Sequence, residues 1–515
     1  MKATFRRNLR RLFCGILIFC QLGAVTAYAK PDWPADTGIL AEAGVVMDID
    51  SGAVLFSQNG HVAYPPASIT KLLTALIVLE HAGLEETVTY SETAVNSVEA
   101  DSGNKLSLAA GDTLTVEECL YVLLLVSSNQ TANALAEHVA GSISGFVDMM
   151  NEKLAELGCT ESHFDNPSGL NGDTQYVSAL DMARIAQAAY QNETLLAINS
   201  ADSYQIGPTI NNPDGASAVN EHRLVITEDP DNEYYCPAAK AGKTGYLLAA
   251  GNTLVTYGEQ DGRRLVSVIL KGSPRQYFLD GKNLLEFGLG NFQNMEISGN
   301  ETRYVTGQEP VDINGASYQP EQLAIEPGKV ITLPNTAAFS DAELSLEPVP
   351  DGAPVGCVGL LSYSYNDRKI GSAYLMTKEG LAALEASAGE GGVVENEGNA
   401  GENPADGEAD ANGAGESGAG EPAEPVNGAA DSVLDPEEKT GGPGAAVLFF
   451  VILLAALAGF GIFWLYRRQR EEAEAMSRRL RERRQRISAE GSETEAEFNR
   501  LLEEKRNRDN KKRRP

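Results

Sequence analysis

Two short apolar runs flank Asp50-Ser51-Gly52 in AGVVMDIDSGAVLFSQN, the pattern of a β-hairpin. From Ala67 to Gly83 (ASITKLLTALIVLEHAG) the apolar spacing changes to that of a helix. Further helical spacing covers Thr115 to Ala140, with a short connection at Ser127-Ser128-Asn129, then Ser144 to Leu157 and Ser178 to Tyr190. Strand patterns return at Asn252 to Tyr257 and Arg264 to Leu270, and a helix-like segment, QYFLDGKNLLEFGL, follows. Strands at both ends with helices between them predict an α+β domain over residues 38–292, its N- and C-terminal strands sharing one sheet.

Between residues 294 and 378 the text becomes short alternating runs broken by Gly, Pro and Asn, which predicts a small β-rich domain. Residues 379–443 are dominated by Ala, Gly and Glu, too poor in apolar residues to bury a core; this stretch reads as a disordered acidic linker. Ala445 to Tyr466 carries no charge and is long enough to cross about 30 Å of hydrocarbon as one transmembrane helix. Trp464 and Tyr466 at its edge, with Arg467 and Arg468 following, place the basic tail, residues 467–515, in the cytoplasm. At the other end, five basic residues, an apolar run from Leu12 to about Ala24 and the small residues Ala27 and Ala29 form a signal peptide over residues 1–29. The expected topology is that of a single-pass membrane protein with residues 30–444 outside.

These compartments change the meaning of the charge. The chain carries −31 overall, but the tail has 17 basic against 11 acidic residues and the leader five basic and none acidic, leaving −42 on the exported part. That argues against a nucleic acid partner. The tail reads as a helix on anionic lipid or a solvated charged helix, and its partner is not specified. Cys119, Cys159, Cys236 and Cys357 have no CxxC spacing and read as free thiols, and five histidines form no HExxH-like cluster, so neither metal nor cofactor is expected.

In PPASITKLL, Ser68 precedes Lys71 by three residues at a helix start, which places an amine beside a hydroxyl. A serine needs an adjacent base to become a nucleophile, and a lysine can be that base when burial lowers its pKa. Ser102 and Lys105 repeat the spacing without an apolar helix behind them and read as a surface segment. Ser127 and Asn129 project from one connection between helices and could relay a proton and hold a carbonyl. Lys243-Thr244-Gly245, followed by Tyr246, precedes paired strands and so falls on an edge strand. There a cation and a hydroxyl can bind a carboxylate and a glycine permits close approach. Lys439-Thr440-Gly441 has the same atoms but lies in the linker.

The ordered set PPASITKLLTALIVLE, SSNQTANALAEHVAG, NPSGLNGDTQYVSALDMA and KTGY with AGNTLV resembles the D-alanyl-D-alanine carboxypeptidases, the low-molecular-mass penicillin-binding proteins, over roughly residues 38–380. The resemblance implies a β-lactamase/transpeptidase-like fold, peptidoglycan stem peptides as substrates, β-lactams as covalent inhibitors and, with the expected topology, a bacterial cell membrane as the location, the catalytic domain being extracellular. It further implies Ser68 as nucleophile, Lys71 as its base, Ser127 as proton relay and Asn129 as the group orienting Lys71 and the substrate amide. Lys243 and Thr244 would hold the terminal carboxylate, and the N–H groups of Ser68 and Tyr246 would form the oxyanion hole. The chain departs from the family pattern at Gln130, where aspartate is common, at Leu247-Leu248, and in having a spanning anchor. Two other functions share these parts. A class A β-lactamase would need a glutamate in an ExxLN segment, and the nearest stretch, Glu193 to Ala197, lacks the asparagine. A cell-wall or β-lactam sensor would use the site only for binding and signal through the tail.

Overall fold

A computed structural model of the protein describes residues 30–99 and 102–390. The expected signal peptide, most of the linker, the transmembrane segment and the tail lie outside the described residues. Among the described residues, no helix is long and apolar enough to cross a membrane.

The central sheet is built from strands β1 (Ala43–Asp48), β2 (Val54–Gln58), β3 (Ala239–Leu247), β4 (Gly251–Gln260) and β5 (Arg263–Gly272), in the order β2-β1-β5-β4-β3. Every pairing is antiparallel, and β1 lies against β5 with Val45 opposite Val268. The N-terminal hairpin of β1 and β2 thus completes a sheet whose other three strands come nearly 200 residues later. Alternation along each strand feeds two cores. Val45, Met47, Val255, Tyr257, Val266 and Val268 point into one, while Val46, Leu254, Leu265 and Ile269 point into the other. With both faces covered, β1 and the centre of β5 read as nearly continuous apolar runs.

The larger core holds helices α1 (Lys71–His81), α2 (Val116–Leu125), α3 (Asn129–Ala140), α4 (Ile143–Glu156) and α5 (Ala179–Gln191), and α6 (Gln276–Asn291) covers the other face of the sheet. Helix α1 is buried without interruption from Lys71 to Val78, so it is a central helix surrounded by others. A short 3₁₀ turn, Ala67–Thr70, leads into it. Between α2 and α3 the chain breaks because Ser127 adopts a left-handed conformation (φ 64°), after which the Ser128 hydroxyl caps α3 by accepting from the Thr131 N–H at 3.2 Å.

Strands β6 (Phe292–Glu296), β7 (Leu323–Ile325), β8 (Val330–Pro334), β9 (Glu343–Glu347), β10 (Cys357–Tyr365) and β11 (Arg368–Thr377) follow. β6 pairs with β8, and the others form a sheet ordered β7-β11-β10-β9 over a core that includes Ile297, Ile331, Leu361, Tyr363 and Leu375. Buried Asp48 at the end of β1 joins this region to the first, accepting from Asn294 Nδ2 at 3.0 Å and from Arg263 at 3.3 Å. One expectation needs correction. Residues 378–390 are a helix, α7 (Lys378–Glu390), packed on β11 and β7, so the first dozen residues read as disordered linker are helical. The stretch KEGLAALEA is made of good helix formers with apolar residues available for packing, and the Gly-rich text begins only after it. All four described cysteines are free thiols.

Candidate active site

Ser68 sits in the 3₁₀ turn one turn ahead of α1, half-buried, and Lys71 begins α1 with no exposed surface. The three-residue spacing brings Lys71 Nζ to 3.0 Å from Ser68 Oγ. Two further contacts come from distant segments: Asn129 Oδ1 at 2.8 Å and the Ser168 carbonyl at 2.5 Å. A neutral amine has two hydrogens and one lone pair. Both carbonyl-type oxygens can only accept, so they take the two N–H bonds and leave the lone pair for the Ser68 hydroxyl. Burial holds the Lys71 amine well below the usual lysine range, and the cations of Lys243 and Lys105 push it further in the same direction.

The backbone around the nucleophile is strained and tightly held. Ala67, just before Ser68, has φ 53°. Its carbonyl accepts from Thr70 Oγ1 at 2.9 Å, and the neighbouring Pro66 carbonyl accepts from Thr253 Oγ1 on β4 at 2.9 Å. Asn166 to Leu170 packs underneath: Thr74 Oγ1 donates to the Pro167 carbonyl at 2.7 Å, and Gly169, at φ 83°, passes so close to the Ala67 carbonyl that no side chain fits there. NPSGL belongs to the family pattern without an evident task in the sequence; in the structure it supplies a lysine acceptor and the floor under Ala67.

Edge strand β3 brings the Lys-Thr-Gly segment opposite. Lys243 is 2% exposed, and its ammonium donates to the Thr244 carbonyl at 3.0 Å. Burial pushes its pKa down to about 7; Glu221 works against that shift and Lys105 adds to it. Gly245 runs against the turn, and a Cβ placed on it would stand 2.8 Å from the Ser68 backbone nitrogen. Tyr246, next along the strand, is 63% exposed, and Leu248 in the following hairpin is 91% exposed. Ser127 stands half-buried, two residues before Asn129.

Residues beyond the motifs hold β3 in place. Buried Asn199 donates to the Gly242 carbonyl at 3.0 Å and accepts from Tyr190 at 2.9 Å. The His222 ring lies against Gly242, its Nε2 3.2 Å from the carbonyl of Val255, the residue paired with Lys243, and burial drives its pKa down to about 3. Neither Asn199 nor His222 belongs to a short motif, so only spatial proximity reveals them. Gln130 donates through Nε2 to the Gly103 carbonyl at 3.1 Å. In the second Ser-x-x-Lys, the Ser102 hydroxyl donates to the Glu99 carbonyl while Lys105 binds Glu221, so the two side chains are engaged elsewhere.

The family model described as D-alanyl-D-alanine carboxypeptidase matches residues 28–273. D-alanyl-D-alanine carboxypeptidase DacB2 of Mycobacterium tuberculosis is 34% identical over 264 residues, covering 50% of this chain and 83% of the relative. D-alanyl-D-alanine carboxypeptidase DacF of Bacillus subtilis is 29% identical over 296 residues, covering 56% of this chain and 72% of the relative. Among solved structures, penicillin binding protein 5 from Haemophilus influenzae is similar with a TM-score of 0.53 at 25% identity, covering 68% of this chain and 98% of that one.

Proposed function

The chain belongs to the D-alanyl-D-alanine carboxypeptidase family, and on that premise we propose how its residues carry out the hydrolysis. Ser68 Oγ attacks the carbonyl between two terminal D-alanines of a peptidoglycan stem peptide as its proton passes to the lone pair of Lys71 Nζ. The observation that carries this assignment is the environment of Lys71, whose two N–H bonds are taken by Asn129 and Ser168 while its third direction faces Ser68. The N–H groups of Ser68 and Tyr246 receive the developing oxyanion, with Gly245 allowing the strand to approach. The proton then moves from Lys71 through Ser127 to the departing D-alanine amine, leaving an ester on Ser68 that water hydrolyses. Lys243 and Thr244 bind the terminal carboxylate, so only chain ends are accepted.

The β-lactamase alternative has little support, because Glu193 is exposed in the first turn of helix Glu193–Asn199. A sensor that merely bound ligand would have no use for a buried amine whose lone pair faces a serine hydroxyl. Release of D-alanine from a pentapeptide by the purified full-length protein, abolished in Ser68→Ala, tests the reading. Binding of the peptide without release would favour the sensor. Covalent penicillin labelling at Ser68 belongs to the same proposal.

The proposed setting is a membrane one, supported by the composition of residues 1–29 and 445–466. The catalytic part is exported, the leader is removed after Ala29, and residues 467–515 remain in the cytoplasm. Protease added to intact cells should then degrade the catalytic part and spare an epitope on the tail.

A further inference from the structure

Lys105 and Glu221 form an ion pair through both carboxylate oxygens, at 2.5 and 2.7 Å, with roughly half of each side chain exposed. The two residues come from opposite sides of the site. Lys105 follows Gly103, which Gln130 holds, and Gln130 is the neighbour of Asn129 on α3. Glu221 precedes His222, whose ring is bonded to β4 across from Lys243. The pair therefore ties the helical side to the sheet side, and the Lys105 cation is near enough to Lys71 and Lys243 to act on both.

Holding the loop does not require this pair. Asn211 and Asn212 donate to the carbonyls of Ser107 and Leu106 at 2.6 and 2.8 Å, and the Asn104 side chain bonds both backbone groups of Leu108. A half-exposed ion pair adds little stability. What distinguishes Lys105 is that it is half-exposed while acting on the two buried lysines of the site. With the terminal carboxylate at Lys243 and the scissile carbonyl at Ser68, the upstream part of a peptide is what remains to meet such an exposed cation.

We infer that Lys105 is a specificity-determining residue that binds a second carboxylate of the substrate, upstream of the scissile bond, in exchange for Glu221. This rests on the carboxypeptidase reading above and adds the substrate class: acidic stem peptides, with a free side-chain carboxylate, are preferred over their carboxamide counterparts. Glu221 serves as the stand-in anion when the site is empty, which keeps Lys105 directed inward and sets the threshold that a substrate anion must exceed.

The test compares two peptides ending in D-Ala-D-Ala that differ only in one upstream carboxylate or carboxamide. For the full-length protein, kcat/KM should favour the acidic peptide by about three- to fivefold, the range of one partly exposed charge pair. Lys105→Met should bring the ratio to about one. Because both peptides are measured on the same variant, any effect of Lys105 on the proton affinity of Lys71 cancels. Glu221→Gln, which keeps the lysine and frees it, should increase the preference. A ratio near one in the unaltered protein, or one unchanged in both variants, overturns the inference while leaving the carboxypeptidase reading intact. Absence of D-alanine release from either peptide overturns that reading itself.

Discussion

A Cβ on Gly245 would stand 2.8 Å from the backbone nitrogen of Ser68, closer than real side chains approach. Edge strand β3 and the nucleophile's turn are therefore packed backbone to backbone, and the Thr253 hydroxyl bound to the Pro66 carbonyl locks the same contact from β4. Any side chain at 245 pushes apart the N–H groups of Ser68 and Tyr246.

Gly245→Ala should thus lower kcat by roughly 10²-fold, the scale of losing one oxyanion donor, with a smaller effect on folding. Steady-state kinetics beside thermal unfolding would separate the two. A variant with normal kcat would mean the oxyanion is held elsewhere.

Ser68→Ala should reduce D-alanine release by at least about 10³-fold, as loss of a nucleophile does, and abolish covalent penicillin labelling. Ser102→Ala should leave both intact, since its hydroxyl is bound to the Glu99 carbonyl. Labelling that survives in Ser68→Ala would show that the ester forms on another residue.

Asn129→Asp places a carboxylate 2.8 Å from Lys71 in place of a neutral acceptor. An opposite charge at that distance favours the ammonium form, so the amine should hold its proton to higher pH. The acid limb of the kcat/KM profile should move upward by at least about one unit. An unshifted limb would count against Lys71 as the base.

Lys243 loses its proton near pH 7 in the folded protein, because of burial. The carboxylate partner requires the ammonium, so KM for a peptide with a free C-terminus should rise as pH passes through about 7. A C-terminal amide should bind weakly and show no such rise.

The same shift affects stability. The unfolded chain keeps the Lys243 proton up to about 10.5, so between about 7 and that value it binds more protons than the native state, and stability from this group increases with pH. Below about 7 the native state carries the cost of a buried cation. Lys243→Met should therefore raise Tm at pH 6, by at least about 2 °C, while impairing carboxylate binding. An equal or lower Tm would mean the ammonium is better solvated than its burial indicates.

Much of the architecture could be read locally. The hairpin around Asp50-Ser51-Gly52, the helix after Ser68 and the paired strands after Gly245 follow from periods of two and 3.6 residues and from turn residues, all short-range signals. Ser68, Lys71, Ser127, Asn129 and Lys243 could be chosen because three short patterns occur in order, and the rival Lys439-Thr440-Gly441 could be set aside by its composition. The beginning of the linker could not be read in this way, because a helix held by packing on β11 and β7 differs little in composition from a solvated Ala- and Glu-rich stretch.

What the sequence by itself determined, then, is which residue types stand in helical or strand register with one another, and hence that Lys71 is one turn from Ser68. The tertiary structure alone decided that the Ser168 carbonyl takes the second N–H of Lys71, that Asn199 and His222 hold the strand bearing Lys243, and that Lys105 meets Glu221 beside both lysines. Those partners are separated by tens to over a hundred residues and carry no shared spacing. Their meeting depends on β1 inserting beside β5 and on α1 being buried on all sides, and burial is also what leaves two lysine amines with little affinity for a proton.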